Sequence, residues 1–435
     1  MSAARLRPLR RVVISGIGVV APNGIGKEPF WHACLAGQSG IRRITHFDAS
    51  SLPSQIAGEI AHFEPAQFGL TVEEIQHTDR ATQFALASTQ LALQDAKLLD
   101  TLSDTEREQT GVIIGSALAC VEEGEKQWLQ LTKRGTSTPS IEPADILPHT
   151  LLMSHTSASS IAAHYHLHGP CSVIATGCSA GADAIGQAFW AIQDERADRM
   201  LAGGTDASIS YGVLGVFCIM GALSTKYNET PERASRPYDK RRDGFVMAEG
   251  AGIVLLEEHE LALARGAHIY AEIHAFASNI NAYHMTSLPP HGKPLQNLLT
   301  QTLTEAGIKP TELGYINSHG SSTRPNEIAE TIAYKAAFGE QAYKIPISST
   351  KSVIGHPQGA ASAIETIITA LVLEQQHIPP TINQEERDPQ CDLDYVPNYA
   401  RRATVDIALT HSSGFGGVNS ALLLTRPDWM NTYDR

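Results

Sequence analysis

Between Cys171 and Ile192 the sequence changes period around one cysteine, and that change dictates a strand-to-helix corner. Cys171-Ser-Val-Ile-Ala-Thr176 is short, mostly apolar and β-prone, bounded by Gly169-Pro170 and Gly177, and reads as a buried strand. From Ser179 onward, Ile185, Ala188, Phe189 and Ile192 form an i, i+3, i+4, i+7 stripe, the mark of a helix with one apolar face. Cys178 therefore stands on a turn at a helix N-terminus, where free backbone N–H groups and the helix dipole favour a thiolate and predict a lowered pKa. Gly177, Ser179, Ala180 and Gly181 are small enough to let a carbonyl approach. A buried structural cysteine is the alternative, because free cysteines are commonly buried. The Gly-Cys corner favours a nucleophile.

A similar corner recurs. Gly355-His-Pro-Gln-Gly-Ala360 precedes a stripe of Ile364, Ile367, Ile368 and Leu371, as Gly177-Cys-Ser-Ala-Gly-Ala182 precedes the first one. This is a weak internal duplication that places Cys178 and His356 at equivalent positions. The rest of the chain alternates strands and helices. Strand patterns at 11–20, 111–115, 200–204 and 252–256 are interleaved with helical ones at 27–37 and 79–97. The pattern restarts near residue 266, with strands at 269–275, 315–319, 345–349, 405–410 and 421–425 and helices at 294–306 and 325–337. Such alternation indicates an α/β fold whose mixed or parallel sheets are covered by helices. At 435 residues the chain exceeds one ordinary core, so two units are expected, 10–265 and 266–428. Gly16-Ile-Gly18 is not read as a dinucleotide fingerprint, since Ala21-Pro22 interrupts where its helix would begin. The Thr-, Ser- and Pro-rich stretch 132–148 reads as a loop or lid.

Reactive side chains gather at strand ends. Asn317-Ser-His-Gly320 puts His319 after a strand, and Thr350-Lys-Ser-Val-Ile-Gly-His356 supplies Lys351 and His356. Ser412-Ser-Gly-Phe-Gly-Gly417 has glycines that let its backbone approach a ligand, so the Phe415 N–H is a candidate oxyanion donor beside that of Cys178. A tight turn before the last strand is the simpler reading. Composition limits the chemistry. A net charge of −13 argues against general nucleic-acid binding. No apolar run approaches 18 residues, and the basic N-terminus lacks a signal-peptide core, so no membrane span and a cytoplasmic location are expected. Cys34, Cys120, Cys171, Cys178, Cys218 and Cys391 form no C-x-x-C pair, which argues against a zinc site or a disulfide framework. An acidic partner would need a local basic patch. Lys240-Arg-Arg242 is the candidate, against the simpler reading of a solvated charged loop.

Thr176-Gly-Cys-Ser-Ala-Gly181, Ser318-His-Gly-Ser-Ser-Thr323, Lys351-Ser-Val-Ile-Gly-His356 and Gly414-Phe-Gly-Gly417 resemble the four active-site motifs of β-ketoacyl-carrier-protein synthases of the thiolase-like superfamily. They match in order and spacing, and the similarity runs from about residue 10 to 425. Ser235–Asp239, Asp243–Gly252, Asn281–Met285 and Asp388–Pro397 further resemble the ketosynthase-α subunits of bacterial type II polyketide synthases. Two positions depart from that pattern: Glu327 stands where Asp is usual, and Ser318 where Ala is.

The resemblance implies a five-layered αβαβα fold of two pseudo-duplicated halves. It implies a decarboxylative Claisen condensation of malonyl-carrier protein with an acyl chain held on Cys178. His319 and His356 would donate hydrogen bonds to the thioester oxygen, and the Cys178 and Phe415 N–H groups would hold the oxyanion. Lys351 and Glu330 would orient the histidines and balance charge. Substrates would arrive on the phosphopantetheine of an acyl carrier protein, without metal or redox cofactor, and a chain-length factor would be the heterodimer partner. Two other readings stand beside this one, a homodimeric fatty-acid elongation synthase and a non-catalytic chain-length-determining scaffold. The joint presence of Cys178, His319 and His356 speaks against the scaffold.

Overall fold

In the computed structural model, which describes residues 9–138, 153–427 and 429, the alternation produces two sheets of like design joined edge to edge. The first comprises β1 (Val12–Ala21), β2 (Thr110–Gly115), β3 (Cys171–Ile174), β4 (Arg199–Asp206) and β5 (Gly250–Glu258). The second comprises β6 (Ala271–Ile280), β7 (Tyr315–Asn317), β8 (Ile347–Ser348), β9 (Ile407–Ser413) and β10 (Val418–Thr425). Hydrogen bonding runs β3-β2-β4-β5-β1 in one and β8-β7-β9-β10-β6 in the other, with an antiparallel β1–β6 contact joining them. In each, the first three strands of that order are parallel and the remaining pairings antiparallel. The same order with the same directions in both halves is the duplication that the two Gly-Ala corners hinted at.

Helices fill the layers: α1 (Arg80–Asp95), α2 (Thr156–Tyr165), α3 (Ala180–Gln193), α4 (Lys293–Ala306), α5 (Arg324–Phe338) and α6 (Ala361–Gln375). Three apolar cores separate them. Leu86 and Leu93 of α1 and Ile161 of α2 pack on Val112, Leu201 and Leu255 of the first sheet. Leu298 and Leu299 of α4 and Tyr334 and Phe338 of α5 pack on Ile316, Leu409 and Leu423 of the second. Between the sheets lie α3 and α6, whose Ile185, Phe189, Ile364 and Ile368 join residues of both sheets in one core. The result is αβαβα. A middle helix must be apolar nearly all round, and α6 is buried from Ala361 to Leu373.

The two middle helices meet at their N-termini. A Cβ on Gly181 would lie 2.7 Å from the Ala363 amide nitrogen, so the Gly-Ala doublets serve backbone-to-backbone packing of α3 on α6. That packing carries the Cys178 and His356 corners toward each other. Gly115, at the end of β2, is equally constrained, since its Cβ would stand 2.2 Å from the Ala180 carbonyl carbon. Gly115→Ala is expected to cost about 1–3 kcal/mol through overpacking and to displace the Cys178 corner. Gly215→Ala, where a Cβ meets nothing within 4 Å, is the control. Thermal unfolding of the two variants checks this, and equal melting temperatures would contradict it.

One sequence expectation is corrected. The strand Cys171–Ile174 is not buried: Cys171 and Ser172 are exposed and Val173 and Ile174 half-buried, because among the described residues it is an edge strand paired only with β2. The proposed lid at 132–148 falls largely outside the described residues, from 139 on. No helix among the described residues is long and apolar enough to cross a membrane.

Candidate active site

Cys178 lies in the turn Gly177–Ser179 between β3 and α3, with Gly177 at φ +62°. His319 follows β7. His356 follows the short helix Lys351–Ile354 and Gly355 at φ +75°, just before α6. Phe415 occupies the turn between β9 and β10. Four separate stretches thus converge on a cavity of about 610 Å³, lined by Cys178, His319, His356 and Phe415. His356 Nε2 is 3.1 Å from Cys178 Sγ, and the two imidazole centroids are 5.4 Å apart. The Phe415 backbone N–H donates toward the Cys178 sulfur. Phe245 meets the His356 ring edge-on at 5.3 Å and Phe217 at 5.7 Å, giving the site an aromatic wall.

The electrostatics differ from the sequence expectation. Burial pushes the Cys178 thiol up to about 11, outweighing the nearby Lys351 charge and the Phe415 N–H, both of which favour the thiolate. The helix N-terminus does not overcome desolvation. His356 is held well below its ordinary value by burial and by Lys351, and no acceptor faces its Nδ1 among the described residues. Burial and the Lys351 charge both act against an imidazolium beside this raised thiol. His319 is likewise held well below its ordinary value by burial, then by Lys351, His356 and His411.

The supporting residues act less directly than expected. Neither Lys351 nor Glu330 hydrogen-bonds His319 or His356. The Lys351 ammonium is bound by Glu365, with both side chains buried. Glu330 accepts the Tyr238 hydroxyl at 2.6 Å and the Gly320 N–H at 3.0 Å, pinning the loop one residue beyond His319. Burial raises its pKa. Glu327 accepts the Ser322 N–H at 2.8 Å and faces Arg242 at 2.7 Å. Its extra methylene over Asp lengthens the reach from α5. Ser318, the other departure, hydrogen-bonds Tyr238 at 2.8 Å.

Sequence reading missed several residues. Ser412 contacts His319 Nδ1 at 3.1 Å and donates to the Cys178 carbonyl at 3.0 Å. Asp206, at the end of β4, accepts the Ser116 hydroxyl at 2.7 Å and the Gly359 N–H at 2.6 Å, tying the His356 corner to the first sheet. Burial pushes its carboxyl up to about 6. Glu365 carried a readable signal, a carboxylate inside the apolar stripe of α6. Lys240-Arg-Arg242 is neither a free basic patch nor a wholly solvated loop. Lys240 pairs with Glu386 at 2.7 Å, Arg241 with Glu385, and buried Arg242 with Glu327 and Asp388. A chain dense in carboxylates neutralises its own arginines.

Residues 9–262 match the family model described as beta-ketoacyl synthase, N-terminal domain, and residues 270–385 that of the C-terminal domain. The chain is 42% identical over 426 residues to the tetracenomycin polyketide synthase ketoacyl synthase alpha subunit of Streptomyces glaucescens, covering 96% of this chain and 97% of that one. It is 43% identical over 417 residues to 3-oxoacyl-(acyl-carrier-protein) synthase 2 of Coxiella burnetii, covering 96% and 99%. A solved structure described as a type II PKS acyl-carrier protein in complex with its ketosynthase bound to the hexaketide superposes with a TM-score of 0.88 at 38% identity, over 97% of this chain and 100% of that one.

Proposed function

The chain belongs to the β-ketoacyl synthase family of condensing acyltransferases, and from that premise we propose that it is the catalytic ketosynthase-α subunit of a type II polyketide synthase. The observation that carries a catalytic rather than a scaffolding role is the His356 Nε2–Cys178 Sγ contact of 3.1 Å inside a cavity able to take an acyl thioester. His356 takes the thiol proton as Cys178 attacks the acyl thioester, then returns it to the departing pantetheine thiolate. The Cys178 and Phe415 N–H groups hold the tetrahedral oxyanion, each donor worth about 3–4 kcal/mol in comparable sites. In the second half-reaction the malonyl carboxylate leaves as carbon dioxide. His356 has by then returned the thiol proton; its one remaining ring proton, held by no partner at Nδ1 among the described residues, moves to Nε2 and is donated to the enolate oxygen. The enolate carbon attacks the acyl-Cys178 carbonyl, the β-ketoacyl chain departs on its carrier, and the expelled Cys178 thiolate takes from solvent the one proton that decarboxylative condensation consumes.

The edge strand β3 supports a partner chain, because among the described residues nothing pairs with its second side, which carries half-buried Val173 and Ile174. The name "alpha subunit" of the Streptomyces relative favours a related, non-identical partner of the chain-length-factor kind. The 43% identity to an acyl-carrier-protein synthase favours the second reading, a homodimeric fatty-acid elongation enzyme. Intact mass spectrometry of the purified chain, exposed first to acyl-carrier and then to malonyl-carrier protein, separates them. An adduct on Cys178 without extension, rescued by a co-expressed relative lacking the cysteine, supports the heterodimer. Extension by the purified chain alone supports the homodimer, and no adduct in either case overturns both.

The carrier's arm enters between Met220 and Met285, which are 43% and 78% exposed at the cavity mouth. Exposed Lys226 and Arg324 flank the same opening, held by neighbouring residues: the Lys226 N–H donates to Asp243 at 3.1 Å, and the Arg324 carbonyl accepts from Arg242 at 3.1 Å. Neither cation lies within ion-pair distance of a carboxylate among the described residues, although the Arg324 charge helps to lower the pKa of Asp388. They are therefore assigned to the phosphate of the arm and the acidic surface of the carrier. Lys226→Glu with Arg324→Glu is expected to raise KM for malonyl-carrier protein about tenfold. Steady-state kinetics check this against a small malonyl thioester, whose KM stays the same. An equal rise for both substrates would refute the docking assignment.

A further inference from the structure

We propose that Ser412 is a positioning residue that holds His319 in its Nδ1–H form, so that the two histidines face the substrate with opposite hydrogen-bonding polarity. The inference rests on the reading of this cavity as a condensing site. A serine hydroxyl carries one proton. Ser412 Oγ lies 3.0 Å from the Cys178 carbonyl oxygen and 3.1 Å from His319 Nδ1, and Ser412 is fully buried. A carbonyl oxygen only accepts, so the hydroxyl proton goes to Cys178. His319 Nδ1 must then carry a hydrogen and donate it into the Ser412 lone pair. The reverse assignment would set two lone-pair oxygens against each other in a buried site with no proton between them.

The helix start makes the Cys178 carbonyl depend on this hydroxyl. A regular helix would aim the Ala182 N–H at the carbonyl four residues earlier, but that N–H donates to Ser362 Oγ at 2.9 Å. A relay results: His319 Nδ1–H to Ser412 Oγ–H to Cys178 C=O, joining the second-sheet histidine to the nucleophile corner of the first. A neutral imidazole has one N–H, so His319 Nε2 is left with a bare lone pair. Burial and the Lys351 charge oppose a second proton on the ring.

His356 is the opposite case. Its Nε2 faces the Cys178 sulfur and its Nδ1 meets no protein partner among the described residues, so nothing ties its proton to one nitrogen. His356 is thus the proton carrier and the donor to the enolate oxygen, while His319 is a fixed hydrogen-bond acceptor. This replaces the expectation that both rings donate.

The test is a ring-nitrogen NMR spectrum of the full chain labelled with 15N-histidine, with the His319 signals identified by their loss in His319→Asn. The expected result is a protonated-type shift at Nδ1 and a bare-type shift at Nε2 in the resting protein. Ser412→Ala should blur that preference and lower kcat for malonyl decarboxylation about tenfold, with KM for malonyl-carrier protein changed less than about twofold. Ser412→Thr, which keeps the hydroxyl, should restore both. A protonated Nε2 at His319 in the unsubstituted protein overturns the proposal, as does a Ser412→Ala ring spectrum identical to it. Should Ser412→Ala fail to fold, the unsubstituted protein and Ser412→Thr still decide. The spectrum is read without substrate, so an Nδ1–H His319 in a chain that never condenses would sink the condensing reading and leave the tautomer assignment standing.

Discussion

Replacing Cys178 with alanine should abolish acylation and condensation while leaving the unfolding curve within about 1 kcal/mol of the parent. The loss expected is roughly 10⁴–10⁶-fold in kcat, the scale seen when the nucleophile of an acyl-transfer site is removed. The remaining N–H donors and histidines have nothing to act on once no sulfur can hold the acyl chain. Stability should barely change because the sulfur borders a cavity rather than filling a packed interior. Peptide mapping after iodoacetamide gives the parallel readout. Cys34 and Cys391 are buried, and burial pushes both thiols up to about 12. Cys171 lies exposed on the edge strand. Alkylation of Cys178 should track the loss of activity, and alkylation of Cys171 should not. A Cys178→Ala protein that still joins acyl and malonyl units would remove the basis of the assignment.

The second large effect belongs to the Lys351–Glu365 pair. The side chains are 1% and 0% exposed, and Glu365 Oε2 has no further hydrogen-bond partner among the described residues. Removing one partner strands the other charge in a low-dielectric interior, at a cost of about 3–5 kcal/mol. For a chain of this length that is a fall of roughly 4 °C in melting temperature. Lys351→Met and Glu365→Leu should each show it. The double variant should recover most of the loss, because an apolar pair of similar volume replaces both charges. Activity separates the pair's structural role from its electrostatic one. Lys351 depresses both imidazoles and favours the Cys178 thiolate, so the double variant should fold well and still acylate slowly. Equal melting temperatures for the single and double variants would show that the pair carries no such energy.

Much of the site was legible because its chemistry sits at local signals. Cys178 and His356 were found at corners where a glycine precedes the residue and an apolar-striped helix follows. The same doublets, Gly181-Ala182 and Gly359-Ala360, mark the close crossing of α3 and α6 that brings these corners together. His319 and Phe415 were found on glycine-containing turns after strands. Ser412 lay within a motif already singled out, but only its distance to two other stretches reveals what it does. Lys351 reads as a support for the histidines, and its hydrogen-bond partner, Glu365, stands fourteen residues on, one helix away. The basic run Lys240-Arg-Arg242 looked available in one dimension and is neutralised by Glu327, Asp388 and two glutamates from other parts of the chain.

By itself the sequence determined where strands pass into helices, that the two halves repeat one plan, and which side chains stand at their corners. These follow from side-chain periodicity and from glycine and proline, which act over a few residues. Only the tertiary structure decided that β3 is an edge strand among the described residues, that burial raises the Cys178 thiol rather than lowering it, and which carboxylate meets which cation. Exposure, desolvation and ion pairing depend on the summed environment of residues far apart in the chain. A helix N-terminus acts on Cys178 locally, but the burial that outweighs it comes from both sheets and the two helices between them.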